Sequence, residues 1–119
     1  MTHRFPRWVY DHGDEPDARF TLANERTFLA WTRTALALIA GGVALEAVSL
    51  PLQPAARHAA SLVLLVLGLA LPLLAWFGWA RAERAMRDRR SLPGSPVSAV
   101  LAVGVTVVAV LLTIGVLAR

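Results

Sequence analysis

Two arginines, Arg26 and Arg33, lie seven residues apart near the start of the first long apolar run. Successive residues of a helix are about 100° apart, so these two side chains fall on one face. The other residues of that face are alanines. We call this set the arginine stripe: Arg26, Ala30, Arg33, Ala37, Ala40 and Ala44. A guanidinium group pairs bidentately with phosphate and repels cations, so a ring of these side chains would bind phosphate-type anions.

Two interpretations of these arginines fit the spacing equally well. In the first, both side chains extend to the lipid headgroups and only set the orientation of the chain in the membrane. In the second, the stripe faces a symmetry axis. Each copy of the chain then contributes Arg26 and Arg33 to a ring at the mouth of a pore.

A single carboxylate interrupts the first apolar run. Glu46 is the only charged residue between positions 34 and 56, and it falls on the face opposite the arginine stripe. Near the outer end of a membrane helix, this carboxylate would be hydrated. Deeper in the membrane it would be protonated or paired, with Arg57 or His58 as candidate partners. It would then mark an ion or proton path, as in a proton-coupled exporter.

The chain shows no catalytic constellation. It contains no cysteine, which excludes a disulfide framework and thiolate chemistry. Paired carboxylates, a serine with a histidine, and a glycine-rich phosphate loop do not occur at usable spacing. His12 lies among acidic residues, but its spacing fits no metal-ligand pattern. We therefore expect neither an enzyme nor a metal or cofactor site.

Three apolar stretches must position these groups. Hydrophobic residues make up 56% of the 119 residues, above the roughly 45 to 50% of soluble domains. The apolar stretches cover 34–56, 58–80 and 91–118, and a membrane helix needs about 20 residues. Helices are expected because lipid cannot pair with exposed backbone groups. We predict an all-α membrane protein with three transmembrane helices over 26–50, 59–80 and 97–117.

Capping residues and prolines predict where the helices begin and end. Thr21 or Asn24 is a suitable N-cap for the first helix, and Pro51 stops it near Leu50. The second helix continues as a polar stem over 81–90. Two i,i+4 ion pairs favour helix in the stem, Glu83 with Arg87 and Arg84 with Asp88. We expect a flexible cytosolic arm over 1–20 and one transmembrane domain over 21–119.

The distribution of arginine predicts the orientation. All twelve basic residues are arginine: five occur up to Arg33, five occur in the 81–90 stem, and Arg57 and Arg119 flank the other span ends. The positive-inside rule places the N-terminus and the stem in the cytoplasm and the C-terminus outside. Because the arginines flank membrane spans, the net charge of +4 gives no reason to expect a nucleic-acid partner.

Small residues on two of the helices predict self-association. Membrane helices pack closely through small side chains, and the alanines of the arginine stripe repeat every seven residues. The third helix carries a second set, which we call the α4 stripe: Ala99, Ala102, Thr106, Ala109 and Thr113. Three helices bury only part of this surface within one chain. We therefore expect a homo-oligomer embedded in membrane lipids.

The segment LANERTFLAWTRTALALIAGG, residues 22–42, resembles the signature of the DUF202 (YidH-like) family of small bacterial inner-membrane proteins. That domain is also similar to the membrane part of the eukaryotic vacuolar transporter chaperone complex. The family resemblance implies three helices, a cytosolic N-terminus and a place in the bacterial inner membrane. The chain contains neither the polyphosphate-sensing module nor the polymerase domain of the vacuolar complex.

The vacuolar complex also suggests roles for single residues. Its domains of this type form a pentamer around a pore, and basic residues at the start of the first helix face polyphosphate. Carried over, this implies a pentamer in which Arg26, the arginine of NERT, faces the pore entrance and Glu25 pairs between neighbouring copies. Arg33 joins the ring by its spacing and not by the motif.

Two functions follow as hypotheses. The first is a homo-oligomer whose cytosolic mouth binds or conducts phosphate-type anions, including polyphosphate, through Arg26 and Arg33. The alternative is a non-conducting accessory or scaffold subunit of a larger membrane complex. Its basis is the lack of an enzyme motif and extramembrane segments too short to fold alone.

Overall fold

The computed structural model describes residues 5–11, 13–92 and 96–119. These residues form a short helix and three long ones, and no strand occurs among them. The helices are α1 (Arg7–Tyr10), α2 (Ala18–Ala47), α3 (Pro54–Arg87) and α4 (Pro96–Leu117). The last three are long and apolar enough to cross a membrane, which confirms the predicted all-α fold with three transmembrane helices.

Helix α2 begins earlier than the sequence predicted. Its N-cap is Asp17, whose carboxylate accepts a hydrogen bond from the backbone N–H of Arg19 at 2.8 Å. The prediction of Thr21 or Asn24 as the cap was wrong, because both lie inside α2. The Arg19 side chain, followed by its backbone N–H, lowers the pKa of Asp17. The helix ends at Ala47, three residues before the predicted end at Leu50, because the backbone becomes extended directly after Ala47.

Helix α3 also begins earlier than predicted, at Pro54 instead of residue 59. Gln53 is its N-cap, and the Gln53 side-chain oxygen accepts a hydrogen bond from the N–H of Ala56 at 2.7 Å. Proline suits the first turn of a helix because no N–H is needed there. The helix continues through Pro72 and ends at Arg87, so most of the predicted stem is helical.

Glycine and serine bring α2 and α4 close to α3. The Ser61 hydroxyl donates a buried hydrogen bond of 2.8 Å to the carbonyl oxygen of Gly42 across the α2–α3 contact. Gly68 of α3 faces Ile39 of α2, and Gly104 of α4 faces Leu67 of α3. Close backbone approach at small residues is the usual way in which membrane helices pack without a hydrophobic driving force.

The N-terminal segment packs against α3. Val9 is fully buried against Trp79 and Ala80. Further along, the N–H of Asp14 donates a 2.9 Å hydrogen bond to the carbonyl oxygen of Arg87. The described part of this segment thus contacts α3, and the flexibility of the arm over residues 1–20 stays a prediction. Residues 1–4 and His12 lie outside the described residues, and with them the candidate metal ligand.

The N-terminal segment and the stem therefore lie at the same end of the molecule. Arg87 donates 3.1 Å and 2.9 Å hydrogen bonds to the Glu15 carboxylate and to the carbonyl oxygen of Tyr10. The molecule is 62 Å long, whereas a bilayer with its headgroups is about 40 to 45 Å thick. Part of its length must project into water. The cytosolic location of the stem end stays a prediction.

Candidate functional site

All six residues of the arginine stripe are exposed on the three-helix fold. Neither Arg26 nor Arg33 has a hydrogen bond or ion pair in the part of the chain that the structure describes. Glu25 is half-buried and likewise has no partner within residues 5–11, 13–92 and 96–119. The structure thus leaves two unpaired guanidinium groups and a row of small side chains on one outer face of α2.

The stripe faces outward because the opposite face of α2 makes the contacts with α3. Ala35 and Gly42 are the buried residues of α2, and at about 100° per residue both fall nearly opposite Arg26. Ala35 packs with Leu71 of α3 and Val97 of α4 in one apolar cluster. Contact with α3 therefore fixes the rotation of α2 about its own axis, and the stripe takes the remaining side.

Glu46 lies on the packing side of α2, one residue before the helix ends. Its carboxylate is 2.7 Å from the Nδ1 atom of His58 at the start of α3, and both side chains are partly exposed. Of the two candidate partners, His58 makes the pair, while Arg57 donates a 3.1 Å hydrogen bond to the carbonyl oxygen of Leu45. The exposed position at the helix end favours a hydrated, paired carboxylate over a proton path.

A polar contact that the sequence did not predict joins α2 to the stem. Glu83 is 1% exposed, and its carboxylate accepts hydrogen bonds from the Asn24 amide at 3.4 Å and the Thr21 hydroxyl at 3.5 Å. Asn24 also donates a 2.9 Å hydrogen bond to the carbonyl oxygen of Trp79. One indication in the sequence that Asn24 has a role of its own was its position as the first residue of the NERT segment.

The two ion pairs predicted in the stem had different outcomes. Arg84 and Asp88 approach to 3.8 Å, which confirms that pair. The Glu83–Arg87 pair was wrong, because Arg87 turns to the N-terminal segment and pairs with Glu15. Arg87 also lies over the ring of Tyr10 at 5.5 Å. Sequence spacing identified the helix but not the distant partner.

Comparison with known proteins gives the family. Residues 19–85 match the family described as "Domain of unknown function (DUF202)". An uncharacterized protein of Mycobacterium tuberculosis strain H37Rv is 50% identical over 97 residues, covering 81% of this chain and 80% of that protein. The inner membrane protein YidH of Escherichia coli strain K12 is 40% identical over 100 residues, covering 83% of this chain and 87% of YidH.

The chain belongs to the DUF202 family. No solved structure matches it. The DUF202 match begins at Arg19 and ends within the stem, so it contains Glu25, Arg26, Arg33, Glu46 and the Asn24–Glu83 contact. With three apolar helices and the likeness to YidH, this DUF202 protein is a multi-pass protein of the inner membrane.

Proposed function

We propose that this DUF202 protein is a homo-oligomer that binds or conducts phosphate-type anions at a ring formed by Arg26 and Arg33. In this proposal it catalyses no covalent reaction. The observation that supports it most is the exposure of the complete arginine stripe, with both guanidinium groups unpaired in the described residues. Copies that meet along the alanines would bring these groups to a common axis.

The depth of Arg33 favours a pore-facing position. Arg33 lies one heptad beyond Arg26 along α2, about 10 Å closer to the membrane centre. It also lies beyond Phe28 and Trp31, the aromatic residues that we expect at the membrane interface. A charged side chain in the hydrocarbon is costly, by about 2.5 to 3.5 kcal/mol at the bilayer centre on insertion scales. A water-filled mouth shared by several copies removes that cost.

The chemistry of the ring suggests the substrate class. Guanidinium groups recognise phosphate through two parallel hydrogen bonds, so inorganic phosphate is the simplest probe. The resemblance of this domain to the membrane part of the vacuolar transporter chaperone complex adds polyphosphate as a second probe. Glu25, next to Arg26, is proposed to pair with a neighbouring copy, because it has no partner within the described protomer.

Purified protein reconstituted in liposomes tests the proposal. We expect phosphate or polyphosphate binding or flux that falls at least tenfold in the Arg26→Ala, Arg33→Ala double variant. The matched control is Arg19→Ala with Arg89→Ala, which removes the same charge from two exposed arginines outside the stripe. Unchanged anion handling in the stripe variant, or an equal loss in the control, would refute the proposal.

A second candidate function rests on α4. All residues of the α4 stripe are also exposed, so the protein presents to the membrane a second surface on which another helix can pack closely. A helix of a different protein could pack there, which would make this chain a non-conducting accessory subunit. Affinity purification from mild detergent should then recover one stoichiometric partner. Anion flux by the protein alone, with no partner recovered, would exclude this candidate.

A further inference from the structure

A groove of about 790 Å³ opens where the stem meets the membrane-spanning part of α3. It is separate from the arginine stripe. One half is basic and the other half is apolar and aromatic. The basic half contains Arg81, Arg84 and Arg90, and the apolar half contains Trp8, Leu74 and Phe77.

The two halves are stacked along the axis of α3. Leu74, Phe77, Arg81 and Arg84 are spaced three, four and three residues apart, which places them on one helix face. Phe77 is 53% exposed and lies on the membrane side of Arg81. The groove thus passes from apolar side chains at the level of the span to guanidinium groups at the level of the stem. A phospholipid has the same order of chemistry, from acyl chain to headgroup.

The basic half has an excess of positive charge. Asp88 is the carboxylate that pairs with these arginines, 3.8 Å from Arg84 and 3.3 Å from Arg90. In the part of the chain that the structure describes, Arg81 has no ion pair, and the buried Nε atom of Arg84 has no hydrogen-bond partner. One carboxylate against three guanidinium groups leaves two positive charges in excess.

We propose that this groove binds an anionic phospholipid, with the lipid phosphate on Arg81 and Arg84 and an acyl chain along Leu74 and Phe77. The phosphate offsets the charge excess of these guanidinium groups, because basic side chains at the membrane surface attract anionic headgroups. The exposed apolar half is the reason to assign a lipid and not a free anion. Trp8 closes one wall, which places the N-terminal segment against the bound lipid.

Native mass spectrometry of protein released from nanodiscs tests this site. The nanodiscs contain phosphatidylcholine with one tenth phosphatidylglycerol as the probe. We expect retained phosphatidylglycerol on the wild type and at least tenfold weaker retention in the Arg81→Gln, Arg84→Gln variant. The matched control is Arg19→Gln with Arg89→Gln, which removes two exposed charges outside the groove and should change retention less than twofold.

Two outcomes would overturn the proposal. Equal losses of phosphatidylglycerol in both double variants would show that the arginines only attract anionic lipid through their net charge. Unchanged retention in the groove variant would show that the groove does not bind the lipid. Phe77→Ala provides a second variant, chosen because Phe77 is 53% exposed, so we expect the three-helix packing to tolerate its truncation. It should weaken lipid retention several-fold, whereas unchanged retention would contradict the acyl-chain assignment.

Competition separates a lipid from a free anion. Millimolar inorganic phosphate should leave phosphatidylglycerol in place, whereas full displacement would assign the groove to free phosphate and overturn the lipid proposal. The Arg26→Ala, Arg33→Ala variant separates this site from the proposed anion ring. It should retain phosphatidylglycerol at the wild-type level even if it has lost anion binding or flux.

Discussion

At the scale of single residues, Asn24 is the side chain that fixes the start of α2 on α3. It donates to a backbone carbonyl at Trp79 and to the buried carboxylate of Glu83. A buried carboxylate needs partners, because an isolated charge in an apolar environment is strongly disfavoured. Asn24 immediately precedes Glu25 and Arg26, so this contact also sets the height and rotation of the proposed ring.

Replacing Asn24 with alanine should destabilise the fold. The change removes a donor from Glu83 and from the Trp79 carbonyl, and a buried group left unsatisfied costs about 1 to 3 kcal/mol. Unfolding of the detergent-solubilised protein by denaturant measures the loss. Thr27→Ala is the control, because among the described residues the exposed Thr27 hydroxyl bonds only to the Ala23 carbonyl of its own helix. Equal stability of the two variants would contradict the role of Asn24.

The N-cap of α2 should respond to acid. Arg19 lowers the pKa of Asp17 in the folded protein, so the charged carboxylate stabilises the helix start fully above its ordinary pKa of 3.8. That contribution is lost as the pH falls through the lowered folded value. Carboxyl carbon shifts in an NMR titration in micelles should show an Asp17 midpoint below 3.8. Arg19→Gln should raise the midpoint, and an unshifted wild-type midpoint would contradict the cap.

At the scale of elements, glycines determine how closely α2 and α3 approach. A Cβ atom added at Gly68 would collide with the Ile39 side chain and lie 3.2 Å from the carbonyl oxygen of Ala35. Ile39 is β-branched and has few alternative rotamers. A Cβ at Gly78, on the same helix, would meet no atom within 4 Å. A substitution by alanine therefore has no room at Gly68 but is accommodated at Gly78.

Gly68→Ala should separate α2 from α3 and destabilise the protein by about 1 to 3 kcal/mol, the usual cost of overpacking. Gly78→Ala should leave stability unchanged or raise it by up to about 1 kcal/mol, because alanine is the better helix former. Thermal unfolding followed by circular dichroism in one detergent compares the two variants. A stable Gly68→Ala protein would show that the contact has room to relax.

The elements were predictable from the sequence because the membrane requires long apolar runs. The three apolar stretches identified all three spanning helices, and the face of small residues on α2 followed from the alanine spacing. The starts of α2 and α3 were missed because their N-caps, Asp17 and Gln53, lie in segments whose sequence resembles a loop. The burial of Val9 was missed because its partners lie about seventy residues away.

The candidate site was predictable to a different extent at each residue. Glu46 and His58 face each other across a short turn, and the sequence named His58 as one of two candidate partners, beside Arg57. Local spacing also assigned Asn24 to a cap and Glu83 to an ion pair with Arg87, whereas both residues serve the α2–α3 contact. Only tertiary packing brings together groups that are 59 positions apart. The groove with Trp8 likewise depends on a distant segment.

At the scale of the whole molecule, α3 occupies the middle of the fold and packs with α1, α2 and α4. The flanking helices α2 and α4 each leave a stripe of small residues exposed. Small residues give little contact with lipid chains but allow close contact with another helix. We therefore propose that copies of the protomer assemble through these flanks, with the arginine stripe inside the assembly if α2 faces the axis.

Filling the arginine stripe should break that assembly without unfolding the protomer. Ala37→Leu adds a bulky side chain at an exposed position, so the three-helix contacts are unchanged while neighbouring α2 helices can no longer approach. Single-molecule photobleaching in nanodiscs or native mass spectrometry should show a shift from oligomer to monomer. Val43→Leu is the control, because Val43 is exposed but lies about 100° from the stripe. An Ala37→Leu oligomer of wild-type size would place the interface elsewhere and remove the basis for the arginine ring.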